Sequence, residues 1–121
     1  MRLHGAILFV KNMDRMVRFY AETLGLTPVA DSRTPAWLAF ETGFALHAIP
    51  PHIAADIEVT APPQVREETP IKLVFSVADL PQEVARLKAA GVALELKPWG
   101  AADGIDPEGN VFQLVGAERL Q

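Results

Sequence analysis

One pattern of residues occurs twice in this chain, and that repetition restricts the possible folds more than any other feature. The stretch AILFVKNMDRMVRFYAETLGL, residues 6–26, and the stretch LVFSVADLPQEVARLKAAGV, residues 73–92, share one layout. Each opens with alternating apolar residues, the signature of a half-buried strand. In the second copy Ile71, Leu73, Phe75 and Val77 form one face, and Lys72, Val74 and Ser76 the other. In the first, Ala6, Leu8 and Val10 oppose Gly5, Ile7 and Phe9. A residue with a helix-capping side chain follows each strand: Asn12, and Asp79 with Gln82 three places on. The spacing then predicts a helix in each copy. Met13, Met16, Val17, Tyr20 and Leu24 make one apolar stripe, and Leu80, Val84 and Leu87 the other, with charges such as Arg15, Arg18, Glu83 and Arg86 outside. Gly25 and Gly91 stand where a left-handed residue ends a helix.

Aligning Val10 with Val77 and Asn12 with Asp79 sets an offset of 67, which falls to 66 past the helix. Three further strands are expected in each copy: Pro28 to Ser32, Trp37 to Phe40 and Phe44 to Ile49, then Val92 to Lys97, Ala102 to Ile105 and Val111 to Val115. The final hairpins correspond, Thr42-Gly43 with Glu108-Gly109. In the stretch DPEGNVFQL, residues 106–114, Pro107 and Gly109 suit a tight turn, which leaves Asp106, Glu108 and Asn110 as turn residues. The predicted architecture is α+β, with two βαβββ modules in tandem forming curved mixed sheets around a cavity. The repeats cover about 3–50 and 71–116, joined by a Pro-rich linker, 50–70, that holds five of the ten prolines. A half of about 50 residues covers its sheet poorly alone, so the whole chain, 1–121, is expected to act as a single domain.

The same offsets make Gly5 equivalent to Lys72 and His47 equivalent to Gln113. Since the helix-facing set is uniformly apolar, Lys72, Ser76 and Gln113 are expected on the opposite, cavity side with Ile7, Phe9, Val74 and Trp37. His47 reads as a cavity base or polar anchor, because imidazole exchanges protons near neutral pH, or as a half-buried strand histidine. Lys72 reads as an anchor for an anionic group or as a snorkelling side chain. Gln113 reads as a hydrogen-bond donor to ligand or as the cross-strand partner of Lys72. Trp99 reads as a flap over the cavity mouth or as a ring packed beneath a loop.

Composition narrows the function. The net charge is −4 with Lys and Arg scattered, which argues against a nucleic-acid partner or an acidic membrane surface. No cysteine is present, so disulfides, thiol catalysis and Cys-based metal sites are excluded. The first apolar stretch, Ala6 to Val10, is too short for a signal core or a membrane span and runs into Lys11, so a cytoplasmic protein is expected.

The opening strand with MVRFYAETLGL, the hairpin WLAFETGFALHAIP, the second-copy FSVADLPQEVARLKAAGV and the closing DPEGNVFQL resemble, in this order, the vicinal oxygen chelate superfamily. That group contains glyoxalase I, bleomycin resistance proteins, fosfomycin resistance enzymes and extradiol dioxygenases. The resemblance spans about residues 3–115. It implies paired βαβββ modules in a homodimer, with metal ligands, where present, from the first and last strands of each module. Carried over, those places fall on Gly5, His47, Lys72 and Gln113. Glycine offers no ligand atom, lysine repels a cation and glutamine is a poor neutral donor, so no metal or other cofactor is expected. Two functions follow. One is a metal-free protein binding a small, partly apolar organic ligand, anionic or neutral, in the inter-module cavity. The other is a lyase, isomerase or dioxygenase-like enzyme acting on a small carboxylate or carbonyl compound, with His47 as acid, base or ligand and Lys72 neutralising developing charge.

Overall fold

The computed structural model describes residues 1–116, and the chain divides into two compact units, Met1–Glu58 and the part from Val59 on. In the first unit, strand β1 (Ala6–Val10) leads into helix α1 (Met13–Val17), and Asn12 caps it by accepting the Arg15 N–H at 3.1 Å. Strands β2 (Trp37–Ala39) and β3 (Phe44–Ala48) complete a three-stranded sheet in the order β1-β3-β2. The pair β1 and β3 is parallel, and β2 runs antiparallel to β3. Val10, Leu38, Phe44 and Leu46 are buried, and helix α1 packs on β3. Their partners on the open face, Ile7 and Phe9, stay 53% and 55% exposed, which is the alternation that a one-sided sheet requires.

The predicted first helix differs in one respect. After α1 it continues as a π-helical segment, Arg18–Thr23, in which the Leu24 N–H reaches the Phe19 carbonyl at 2.8 Å. The wider turn moves the buried face, so Phe19 is buried with Met13, Met16 and Tyr20, although a strict 3.6-residue stripe omits it. Gly25 closes the segment at φ +79°.

The expected strand Pro28 to Ser32 does not form. Pro28 makes an isolated bridge to Phe40, Asp31 takes φ +61°, and the Ser32 hydroxyl donates to the Val29 carbonyl at 2.8 Å. A proline lacks the ladder N–H and a left-handed aspartate turns the chain, so only a hooked edge precedes β2. The expected linker, 50–70, is also not plain connection, because its first part carries a short helix, α2 (Pro51–Ala54), within the first unit, with His52 exposed.

In the second unit, strand β4 (Leu73–Val77) precedes helix α3 (Leu80–Ala89), capped by Asp79, which accepts the Gln82 N–H at 3.1 Å. Strands β5 (Leu94–Leu96), β6 (Ala101–Ile105) and β7 (Val111–Gly116) follow, and the four-stranded order is β4-β7-β6-β5. Again the first and last strands pair in parallel and the rest antiparallel. Helix α3 lies over β5, β6 and β7, with Val84 and Leu87 buried. The strand starts at Leu73, so Ile71 is exposed and Lys72 precedes the ladder instead of belonging to it. The mixed α+β architecture matches the predicted class; the first sheet has three strands and the second four. Among the described residues no helix is long and apolar enough to cross a membrane.

Candidate functional site

The open face of the first sheet carries an aromatic row. Cross-strand registry sets Phe9 beside His47 and His47 beside Trp37. Because paired residues share a face, the three rings line up across three strands. The Phe9 and His47 ring centroids lie 5.1 Å apart at 31°, and those of Trp37 and His47 lie 5.7 Å apart at 73°. The imidazole is thus flanked by two rings that neither take nor give a proton. Ile7 and Ala45, paired with each other, continue the face along the strands.

The open face of the second sheet is polar. Lys72 donates to Asp103 Oδ2 at 3.1 Å, and Gln113 Nε2 donates to Asp103 Oδ1 at 2.9 Å. Registry explains the meeting, since Val74, Gln113 and Asp103 sit side by side on β4, β7 and β6. Sequence reasoning placed Lys72 and Gln113 on one face and missed the acid between them. A signal for it existed: the offset of 66 that takes His47 to Gln113 also takes Trp37 to Asp103, and both pairs are cross-strand neighbours. The alternative of a direct Lys72–Gln113 pair is corrected accordingly, because both donors turn to the same carboxylate. Val74 and Ser76 are exposed beside them. Trp99, 56% exposed, is not packed beneath a loop; with Gly100, Asp79 and Pro81 it borders a surface recess at the start of α3.

One equivalence needs correction. The first-strand offset of 67 matched Lys72 with Gly5, whereas the ladders match Phe9–His47 with Val74–Gln113 and hence Lys72 with Ile7. The register differs by two residues. A slip of one would turn the apolar face outward and is strongly disfavoured, but a slip of two keeps every residue on its face, so hydropathy alone does not detect it. Gly5 meets the turn before β3, where a Cβ would fall 2.2 Å from the Gly43 carbonyl oxygen, so this position admits no side chain.

Burial raises the Asp103 pKa, but the Gln113 hydrogen bond and the Lys72 and Lys97 ammonium groups outweigh it and hold the carboxyl below its ordinary value. A depressed folded-state pKa stabilises the fold above the unfolded value, and that contribution disappears as pH falls through the folded one. The stability difference between wild type and Asp103→Asn is therefore expected to be largest at neutral pH and to shrink below about pH 4, the ordinary aspartate range. Urea unfolding at pH 7 and pH 3 checks this, and an unchanged difference contradicts it.

Among the described residues no three His, Asp or Glu side chains gather where a metal ion could be held. Of the four positions implied as metal ligands, His47 has ring neighbours, and Gln113 and Lys72 bind a carboxylate. This donor set does not fit a divalent metal of the family type.

A parallel pair of first and last strands, an antiparallel flank and one covering helix, made twice in succession, is the glyoxalase-type α+β class. The model of the Glyoxalase/Bleomycin resistance protein/Dioxygenase superfamily matches residues 2–114. The chain belongs to that superfamily. Among solved structures, it is 28% identical to an Agrobacterium tumefaciens protein of unknown function, covering 97% of this chain and 94% of the other at a TM-score of 0.72. It is also 28% identical to TnmS3, an antibiotic binding protein from Streptomyces, covering 93% and 94% at a TM-score of 0.59. Glyoxalase I of Leishmania major shares the fold at 17% identity and a TM-score of 0.68, covering 96% and 86%. Among curated proteins no sequence matches this chain.

Proposed function

We propose that this protein binds a small, partly apolar organic molecule on the open face of its first sheet, without a metal. The aromatic row carries the reading. Exposed Phe9, half-buried Trp37 and the imidazole between them form an apolar wall with one polar group, which suits a flat ring system with a hydrogen-bonding edge. The likeness to an antibiotic binding protein over nearly the whole chain supports binding as the activity. Lys72 is not a bare anion anchor in this scheme. Its ammonium is matched by the Asp103 carboxylate, so the polar trio offers hydrogen bonds with little net charge. On the first sheet His47 would orient the ligand, and on the second sheet Lys72, Gln113, Val74 and Ser76 would offer a separate polar surface.

Thermal-shift screening of planar aromatic compounds against aliphatic ones of equal size tests the proposal. A compound at a hundred times its Kd raises stability by about 2.7 kcal/mol, enough to read as a clear shift in Tm. Aromatic hits are expected, and Trp37→Ala or His47→Ala should weaken them by roughly tenfold, the size of one ring contact. Hits that bind both variants as tightly as wild type would remove the aromatic row from the site. An unaltered response to Lys72→Ala would remove the lysine.

A further inference from the structure

Along the strands the aromatic row drops off sharply. Two positions after Trp37 and two before His47 stand Ala39 and Ala45, which pair with each other and so share the open face with the row. Ile7, the partner of Ala45 on β1, closes this line at one end. Ala45 is 6% exposed beside an Ile7 that is 53% exposed, so its methyl group lies low among taller neighbours. At the other end the hooked segment fixes the strand edge. The Val29 N–H donates to the Ala39 carbonyl at 2.8 Å, and the Ala39 N–H donates to Ser32 Oγ at 3.2 Å. Further from the row the surface stays low, since Gly5 meets the Gly43 turn and has no room for a side chain. The rings thus stand as a wall, and the two alanines form a shelf at its foot. Side chains on one face recur every second residue, which sets the alanines about 7 Å from the row, and from β1 to β2 the face crosses two strand spacings, about 10 Å.

The shelf carries no charge. Strands β1, β2 and β3 contain no Asp, Glu, Lys or Arg, and the His47 imidazole and the Trp37 indole N–H are their polar side-chain groups. Of the cations that flank these strands, Lys11 donates to the Ile57 carbonyl and Arg33 pairs with Asp14 at 3.0 Å. A charged ligand group over the alanines would lose water and gain no ionic partner, which costs far more than burying a neutral group. A single ring against the wall leaves the shelf bare, whereas fused rings in one plane reach from His47 across Ala45. We propose that the site selects uncharged, fused-ring aromatic molecules, with Ala39 and Ala45 as the residues that set this specificity. The selectivity rests on the aromatic row being the binding wall and adds to it the class of ligand.

Four probes test this on the full chain at pH 7, followed by backbone amide shifts: 2-naphthamide, its charged isosteres 2-naphthoate and 2-naphthamidinium, and the one-ring benzamide. 2-Naphthamide is expected to saturate and to move the amides of Ile7, Ala39, Ala45 and His47, with each of the other three at least about tenfold weaker. Ala39→Leu raises an obstacle at the strand edge and should bring 2-naphthamide within about threefold of benzamide, whose own affinity stays close to wild type. Ala45→Val should act in the same sense from the middle strand, and native amide dispersion in either variant separates a filled shelf from a damaged fold. The selectivity is overturned if one-ring and two-ring amides bind equally, if a charged isostere binds as tightly as 2-naphthamide, or if Ala39→Leu keeps the wild-type preference. In those cases the aromatic row still stands when Trp37→Ala weakens the same ligands. No saturable shift from any of the four probes overturns both.

Discussion

Replacing Asp106 by alanine is expected to destabilise the protein by about 3 kcal/mol, because the change leaves several buried donors unanswered. Asp106 is fully buried. Its Oδ1 accepts the Glu108 N–H at 2.8 Å and the Asn110 N–H at 3.0 Å, and its Oδ2 accepts Asn110 Nδ2 at 2.9 Å. Backbone bonds complete the turn, with the Asp106 N–H on the Asn110 carbonyl at 2.9 Å and the Gly109 N–H on the Asp106 carbonyl at 3.0 Å. This knot joins β6 to β7 and so fixes the registry that brings Asp103 beside Gln113. The same turn receives Arg66. Asp106→Asn keeps an oxygen for both backbone donors and should cost less than half as much. Urea midpoints at pH 7 for the two variants decide the matter; an alanine variant within about 0.5 kcal/mol of wild type, the level of an ordinary surface change, would show that the knot is dispensable.

Phe112→Ala is the second large loss, about 3–5 kcal/mol for a buried aromatic truncated to alanine. Phe112 is fully buried, 6.4 Å from Phe75 between ring centroids. Its ring occupies room left by Gly104, where a Cβ would lie 2.7 Å from Phe112 Cζ and 2.6 Å from Leu94 Cδ2. Ring and glycine are therefore one packing unit. Gly104→Ala should be costly beside the intact ring and much less so when Phe112 is already alanine, a coupling of about 1 kcal/mol or more in a double-mutant cycle. Additive losses would refute the pairing. The consequence reaches the site, since Phe112 and Gln113 are neighbours on β7 with opposite faces. Anchoring the ring on one side sets where the amide points on the other.

Much of this was legible in the chain itself. The alternation Leu73, Phe75, Val77 against Lys72, Val74, Ser76 assigned the faces, and the side chains of Asn12 and Asp79 marked the helix starts that the structure shows. Local chemistry decides such features, because strand periodicity and capping act over a few residues. Asp106, Glu108 and Asn110 were readable as a turn for the same reason. The hooked edge at Pro28 to Ser32 was not, although a proline at the head of the expected strand was a warning. Nor was the π-helical turn that buries Phe19, since hydropathy periodicity assumes the α-helical repeat it was used to find.

The amino-acid order alone established two copies of one strand-helix-sheet pattern, the apolar and polar faces of the first strand of each copy, and the family to which the chain belongs. Only the tertiary structure decided that Lys72 and Gln113 share Asp103, that Trp37 and Phe9 flank His47, and that residues 64–66 clasp a turn more than forty positions away. Each of these depends on how far one strand slides along another. Hydropathy is blind to slides of two residues, whereas backbone hydrogen bonds and close contacts such as Gly5 on Gly43 admit a single choice.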